Sequence, residues 1–404
     1  MHILMIAPEP FFEPRGTPFS EYHRIRALLE LGHTVDLVTY PFGEDVALPG
    51  LRVFRALRPP LVRRVGIGPS FAKVPLDLSL AATALRRALS ERYDMVHSHE
   101  EGAAIGVVLA WWLGVPHLYD MHSSLPQQLG NFKFSQSRLL RWIFERFERV
   151  AVARSRVVIV ICPELERLVR ELRPESEPVL IENAPGAGEC GGVASAPRVV
   201  RAAVRTRYGL QDTAPVILYT GTFEAYQGLE LLFAAAPSVL RARPDARFVL
   251  AGGAPAQIDA FKSQVRSLGI DGQVVFTGER PASEIPDLLA AADVLVSPRS
   301  RGTNTPLKIY QYLRSGRVIV ATRLLTHTQV LDDGVAILTE ATPAAFAAGI
   351  LQAIGDPASA ARIGDAAAEL AATKYSYEAY LARTREAIGR LGADSRATLS
   401  GSAA

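Results

Sequence analysis

Short apolar runs alternate with longer amphipathic stretches along most of the chain. In the first half, Ile3 to Ala7, Val35 to Tyr40, Met95 to His97, His117 to Asp120, Val157 to Ile161 and Val179 to Ile181 have strand length and are apolar on both faces. Helical stretches lie between them, such as Glu21 to Leu31 with Gly32 as its stop. This pattern predicts a parallel sheet covered on both sides. It breaks over 186–203, where GAGECGGVASAP is small and turn-prone and reads as a linker. It then restarts with strands at Val216 to Thr220, Phe248 to Ala251, Val274 to Thr277, Val294 to Ser297, Val318 to Ala321 and Val335 to Leu338. The expectation is two doubly wound α/β domains, over 1–187 and 204–376. Residues 377–391 should form a helix packing back on the first domain, and 392–404 a disordered tail. Open α/β sheets bind ligands beyond the carboxyl ends of their strands, so two such domains facing one another predict a cleft between them.

Composition narrows the function classes. The 404 residues are 49% hydrophobic and 21% charged, with 44 Lys plus Arg against 41 Asp plus Glu. A net charge of +3 and the lack of a binding motif argue against nucleic acid. Cys162 and Cys190 are far apart and read as reduced thiols, not a disulfide framework. The N-terminus MHILMIAP has no basic region ahead of its apolar run. The longest apolar stretch, Gly102 to Tyr119, is split by Gly114 and Pro116 into pieces too short to cross a bilayer. A cytoplasmic protein is expected.

The most informative segment is SPRSRGTNTPLKIYQYLRSGRVIVAT, Ser297 to Thr322, read as strand, loop, helix and strand. Thr305 suits an N-cap and Pro306 the first helical position. Lys308 then falls in the first turn, where the helix dipole disfavours a cation by roughly 0.3–1 kcal/mol unless an anion is bound. Backbone N–H groups plus a lysine make a phosphate site; a solvated lysine is the plainer reading of the same spacing. A second loop, YTGTFEAYQGLELL, holds two glycines, Gly221 and Gly228, that permit close approach to a ligand. In the first domain Gly16 and Thr17 precede Pro18 at a helix start after the first strand. YDMHSSLP puts Asp120 and His122 past a strand end, where the histidine can touch a sugar hydroxyl, polarise a leaving group or simply bond within the loop. His97 reads as structural, while His99 and Glu100 can border the cleft. These histidines lack the close spacing of a zinc site, so no metal is expected. Finally, RVFRALRPPLVRRVGIGPSFAK, residues 52–73, has six basic residues and no acidic ones. It can act as a mobile basic loop or make weak peripheral contact with an anionic membrane.

The order of these pieces resembles glycosyltransferase family 4, whose members have the GT-B fold of two facing Rossmann-like domains. The resemblance spans nearly the whole chain and includes "GHTVDLVT", "DMVHSH", "DMHSS", "IEN", "YTGTFEAYQGLELL", "FTGER", "ADVLVSPRS" and the helix before "SGRVIVAT". It implies a retaining, metal-independent, hexosyltransferase-type enzyme using a nucleotide-sugar donor and no cofactor. The acceptor, which no motif names, would include lipid-linked or envelope glycan precursors. By the same resemblance, Lys308 and the N–H groups around Asn304, Thr305 and Leu307 hold the donor phosphates. His122 touches the donor sugar, and Gly16 and Thr17 lie at the donor–acceptor junction. Gly221, Thr222, Gln227, Arg299, Thr303 and Gln311 complete the donor side. The chain departs from the family at four charged positions. Thr303 and Gln311 stand where two glutamates are usual, and Thr222 and Gln227 where an arginine and a lysine are usual. A nucleotide-sugar 2-epimerase and a catalytically silent nucleotide-sugar-binding partner subunit are the rival readings.

Overall fold

The structure, a computed structural model, describes residues 1–13, 16–60, 62, 73–126, 137–183 and 198–400, except the side chains of Arg198 and 392–400. The chain divides into two compact units: Met1–Asn183 with Tyr380–Ala404, and Ala184–Ala379.

The first unit is a seven-stranded parallel sheet in the order β3-β2-β1-β4-β5-β6-β7. Its strands are β1 (His2–Ala7), β2 (Thr34–Thr39), β3 (Leu51–Arg55), β4 (Met95–His99), β5 (His117–Met121), β6 (Val157–Val160) and β7 (Val179–Leu180). Its helices are α1 (Gly16–Glu30), α2 (Lys73–Ser90), α3 (Ala103–Leu113), α4 (Arg138–Arg154) and α5 (Pro163–Leu172). Right-handed crossovers put α2, α3 and α4 side by side on one face of the sheet, and α1 on the other. The first unit also holds most of the last helix, Tyr377–Ser400. Arg383 on that helix bonds Glu182 at 2.6 Å, and the buried Thr384 accepts from Arg24 of α1 at 3.0 Å.

The second unit is a six-stranded parallel sheet in the order β10-β9-β8-β11-β12-β13. Its strands are β8 (Val216–Thr220), β9 (Arg247–Ala251), β10 (Val274–Gly278), β11 (Val294–Ser297), β12 (Val318–Thr322) and β13 (Ile337–Thr339). Its helices are α6 (Arg198–Arg207), α7 (Leu229–Ala242), α8 (Pro255–Ser267), α9 (Ile285–Ala291), α10 (Leu307–Ser315), α11 (Leu325–Thr328), α12 (Pro343–Gly355) and α13 (Pro357–Thr373), with the last helix of the chain, α14, following. Each strand feeds two cores in alternation: Leu218 and Leu295 pack with Ile309 and Leu313, whereas Ile217, Val294 and Val296 pack with Phe233 and Phe248. Continuous apolar runs thus mark strands buried on both faces.

The differences from the expected elements have local causes. β3 was not anticipated because Arg52 and Arg55 interrupt its apolar character; it is an edge strand whose charges find partners. β4 continues to His99, two residues past the expected end, because its histidines are wholly buried. α1 starts at Gly16, five residues earlier than expected. The final strand is shifted to Ile337–Thr339. Of the expected linker, 186–197 lies outside the described residues, and α6 begins at Arg198. Among the described residues, no helix is long and apolar enough to cross a membrane.

Gly228 shows how tightly the loops above the second sheet fit together. It has φ +73°, and a Cβ there would lie 2.0 Å from the carbonyl oxygen of Pro298. Gly228→Ala should therefore lower stability by about 1–3 kcal/mol, the usual cost of overpacking. A urea midpoint within error of the wild type would contradict that close approach.

Candidate active site

In the second unit, the loop 298–306 between β11 and α10 is braced on several sides. The Thr322 hydroxyl donates to the Arg299 carbonyl at 2.7 Å, and Thr326 donates to the Asn304 carbonyl at 2.6 Å. Gln329 Nε2 donates to the Thr303 carbonyl at 2.6 Å. Arg299 turns back on the same loop, donating to Asn304 O at 2.8 Å and Thr326 Oγ1 at 3.0 Å, and its guanidinium lies over the Tyr226 ring. Beneath the loop, His327 is held between Thr322 O, 2.8 Å from Nδ1, and Ser297 Oγ, 2.8 Å from Nε2. Burial pushes this imidazole down to about 3, so it is neutral, with Nδ1 donating and Nε2 accepting.

α10 begins one residue later than expected. Pro306 has ψ 136° and is the N-cap itself, so Leu307 is the first helical residue. Thr305 therefore does not cap: its hydroxyl is buried with no partner among the described residues. Lys308 remains in the first turn, and its surroundings are unusual. The side chain is buried, and Nζ lies 3.8 Å from the centroid of the Tyr219 ring with no hydrogen-bond acceptor among the described residues. Burial, then the nearby charge of Arg299, holds its ammonium well below the ordinary lysine range. Among the described residues, no carboxylate offsets either effect. The backbone of Gly221 passes beside it: a Cβ at Gly221, where φ is +133°, would meet Nζ at 3.3 Å. Tyr312 anchors α10 to the same strand end, its hydroxyl accepting from Thr220 N at 2.9 Å.

The other donor-side candidates sit around this point. The Thr222 carbonyl accepts from the Tyr219 hydroxyl at 2.7 Å, and Gln227 is buried with Nε2 3.5 Å from Thr222 Oγ1. Gln311 is half-buried one turn further along α10. Tyr219 and Tyr226, which carry the two cations on their ring faces, were missed as site residues because tyrosines in a strand and a loop read as core.

In the first unit, the ends of β4 and β5 bring a buried polar cluster together. Arg24 Nε donates to Asp120 Oδ2 at 2.8 Å; both side chains are 2% exposed or less. His122 Nε2 lies 3.2 Å from Asp120 Oδ1 and 3.3 Å from His99 Nδ1. His97 stacks on His99, with ring centroids 4.7 Å apart. Burial would push Asp120 up, but Arg24 and His122 hold it well below the usual carboxylate range. Burial keeps His97 and His99 low and therefore uncharged. His99 and Glu100, expected at the acceptor side, are both buried, and His99 backs His122. Burial and the neighbouring Glu101 hold the Glu100 carboxyl high, and Ser123 donates to it at 2.8 Å. Gly16, with φ +51°, opens α1, and Thr17 follows it half-buried. A different signal was lost in α1: Arg24 and Glu21 look like the polar face of an amphipathic helix, yet both are buried. Burial, with Glu9 beside it, holds the Glu21 carboxyl well above its ordinary value.

The fold adds detail to two readings of the sequence. Spacing along the sequence shows no metal-ligand pattern, but the fold gathers His97, His99 and Asp120 with ligand atoms within 4.8 Å. The set does not suit a divalent cation, because the Arg24 guanidinium already occupies Asp120 and would repel one. In the basic segment 52–73, the described cations also have partners within the chain. Arg52 pairs with Asp36, Arg55 donates to the carbonyls of Phe11 and Phe42, Arg58 donates to Val62 O, and Lys73 pairs with Glu101. Arg63 and Arg64 lie outside the described residues.

Two parallel Rossmann-type sheets, one in each unit, are the architecture of the GT-B fold. Sucrose-phosphate synthase from Thermosynechococcus elongatus is similar in fold (TM-score 0.79, 19% identity, 97% of this chain and 99% of that one). So is Anabaena HepE in complex with UDP-glucose (TM-score 0.72, 18% identity, 96% and 99%). Residues 22–184 match the model of the glycosyl transferase 4-like domain, and 214–356 that of glycosyl transferases group 1. Together the two matches identify a GT-B glycosyltransferase of the family 4 type. Among its relatives are an alpha-D-kanosaminyltransferase of Streptomyces kanamyceticus, 28% identical over 73% of this chain and 76% of that protein, and a D-inositol 3-phosphate glycosyltransferase of Corynebacterium diphtheriae, 27% identical over 86% and 83%.

The Arg24–Asp120 pair should dominate the stability of the first unit. Asp120→Asn leaves a buried guanidinium without its anion, a change that usually costs 3–5 kcal/mol, so about 3 kcal/mol should be lost in urea unfolding. A loss below about 1 kcal/mol would mean that the pair is not the brace.

Proposed function

We propose that this chain transfers a hexosyl group from a nucleotide sugar to a hydroxyl of its acceptor, with retention at the anomeric carbon and without a metal. One observation carries the reading: the Lys308 ammonium, buried beside Arg299 with no hydrogen-bond acceptor among the described residues, at the start of a helix and against the backbone of Gly221. A diphosphate would supply the missing counter-charge and accept from Nζ. The complex of HepE with UDP-glucose supports this choice of donor class.

In the reaction, the bond from the anomeric carbon to the donor phosphate oxygen breaks, and a bond to the acceptor oxygen forms. The acceptor's proton passes to the departing diphosphate. Lys308, Arg299 and backbone N–H groups at the start of α10 would stabilise the growing charge on that diphosphate, the work a metal does in other transferases. Lys308 and His122 are the residues we assign to catalysis. The Asp120 carboxylate fixes the protonated nitrogen of His122, so that the imidazole would meet the donor sugar in one orientation. Gly221, Thr222, Gln227, Thr303 and Gln311 would line the donor, and Gly16 and Thr17 the acceptor. Lipid-linked or envelope glycan precursors are the acceptors we propose.

Thr303 and Gln311, uncharged where the family usually has glutamates, favour a second reading, a nucleotide-sugar binder without turnover. Both readings require the diphosphate site, and they part on donor consumption. Titration with uridine, adenosine and guanosine diphosphates should find one that binds. Lys308→Ala should weaken it by about 1.5–3 kcal/mol, the size of a hydrogen bond to a charged group. Equal affinity in the variant would remove Lys308 from the site. Release of nucleoside diphosphate from its sugar form, persisting in EDTA, would select the enzyme over the silent binder.

A further inference from the structure

The chain has only three tryptophans, Trp111, Trp112 and Trp142, and all are 50–76% exposed. They lie on α3 and α4, which pack side by side with each other, and α3 with α2, on one face of the first sheet. Sixteen large apolar side chains are exposed among the described residues; four are on α2, three on α3 and four on α4. They recur at helical spacing, as Leu139 with Trp142 and Ile143 on α4 and Leu78 with Leu85 and Leu89 on α2. The concentration on one layer separates this surface from the scattered apolar residues any protein exposes.

The charge on α4 says what would cover it. The helix carries five arginines, Arg138, Arg141, Arg146, Arg149 and Arg154, all exposed. Of its two acidic residues, Glu145 pairs with Arg141 and Glu148 is buried, accepting from Leu125 N at 3.0 Å. A second copy docked face to face would set these arginines against their own equivalents. An anionic surface would neutralise them, and tryptophan, apolar in body with a polar N–H, suits the boundary between headgroups and acyl chains.

We propose that the layer formed by α2, α3 and α4 is a docking face for an anionic lipid bilayer, with the three tryptophans in the interface and the α4 arginines against the lipid phosphates. This membrane contact is distinct from the one expected of residues 52–73 and does not depend on the donor site.

The tryptophans report directly on the proposal, since every one of them lies on the face. The intact protein is mixed with vesicles of phosphatidylcholine alone, or of phosphatidylcholine with phosphatidylglycerol. With phosphatidylglycerol present, its tryptophan emission should shift to the blue, and it should sediment with the vesicles, less so as salt rises. The double variants Trp111→Gln/Trp142→Gln and Arg146→Glu/Arg149→Glu should each lower partition at least tenfold while circular dichroism and diphosphate affinity stay unchanged. Absence of binding to phosphatidylglycerol vesicles, or unaltered partition in the variants, would overturn the proposal. So would a stable dimer in light scattering that Trp111→Gln/Trp142→Gln dissociates, since the face would then belong to a second copy.

Discussion

A lysine ammonium buried against a tyrosine ring, with no acceptor for its protons among the described residues, is expensive to leave as it is, and the second unit is organised around one. Taking the charge out of water lowers its pKa, and the ring face of Tyr219 returns only part of the lost hydration. The surrounding loops are tied in place by several contacts. Thr322, Thr326 and Gln329 grip three residues of the 298–306 loop, and Gly228 fits under Pro298 with no room for a methyl group. The same bracing that keeps the cation unpaired keeps its position fixed for an anion, and a fixed dipole or charge is what transition-state stabilisation needs.

The first unit solves the opposite problem. There the buried charges are paired, Arg24 with Asp120, and burial keeps His97 and His99 neutral. Thr384 ties the pair to the last helix of the chain, and Arg383 reaches Glu182 in the segment after β7. His122 therefore sits at the end of a network that includes α1, two strand ends and the C-terminal helix. Its orientation depends on residues distant in sequence, although only Asp120 is its near neighbour along the chain.

Much of the fold was legible because buried parallel strands are apolar throughout. Runs such as Val216 to Thr220 and Val294 to Ser297 coincide with β8 and β11. β3 was not legible, since an edge strand can carry Arg52 and Arg55 and still pair, and its charges looked like a basic surface segment until Asp36 appeared beside it. In the site, Lys308 and the glycines were readable from the turn chemistry around them. The start of α10 was misread by one position because Thr305-Pro306 has the form of a cap and first residue, while Pro306 in fact stays extended. Arg24 and the gathering of His97 and His99 on Asp120 depend on contacts between distant segments, which no spacing in the sequence encodes.

The central claim is that a diphosphate supplies the charge that Lys308 lacks. An anion beside the ammonium must raise its pKa, so binding must be accompanied by proton uptake. Calorimetric titration of the best-binding nucleoside diphosphate, in mildly alkaline buffers that differ in ionisation enthalpy, measures this uptake directly. The account predicts net uptake by the wild type and less by Lys308→Gln, together with affinity that falls as pH rises. Equal proton exchange in the two proteins would contradict it.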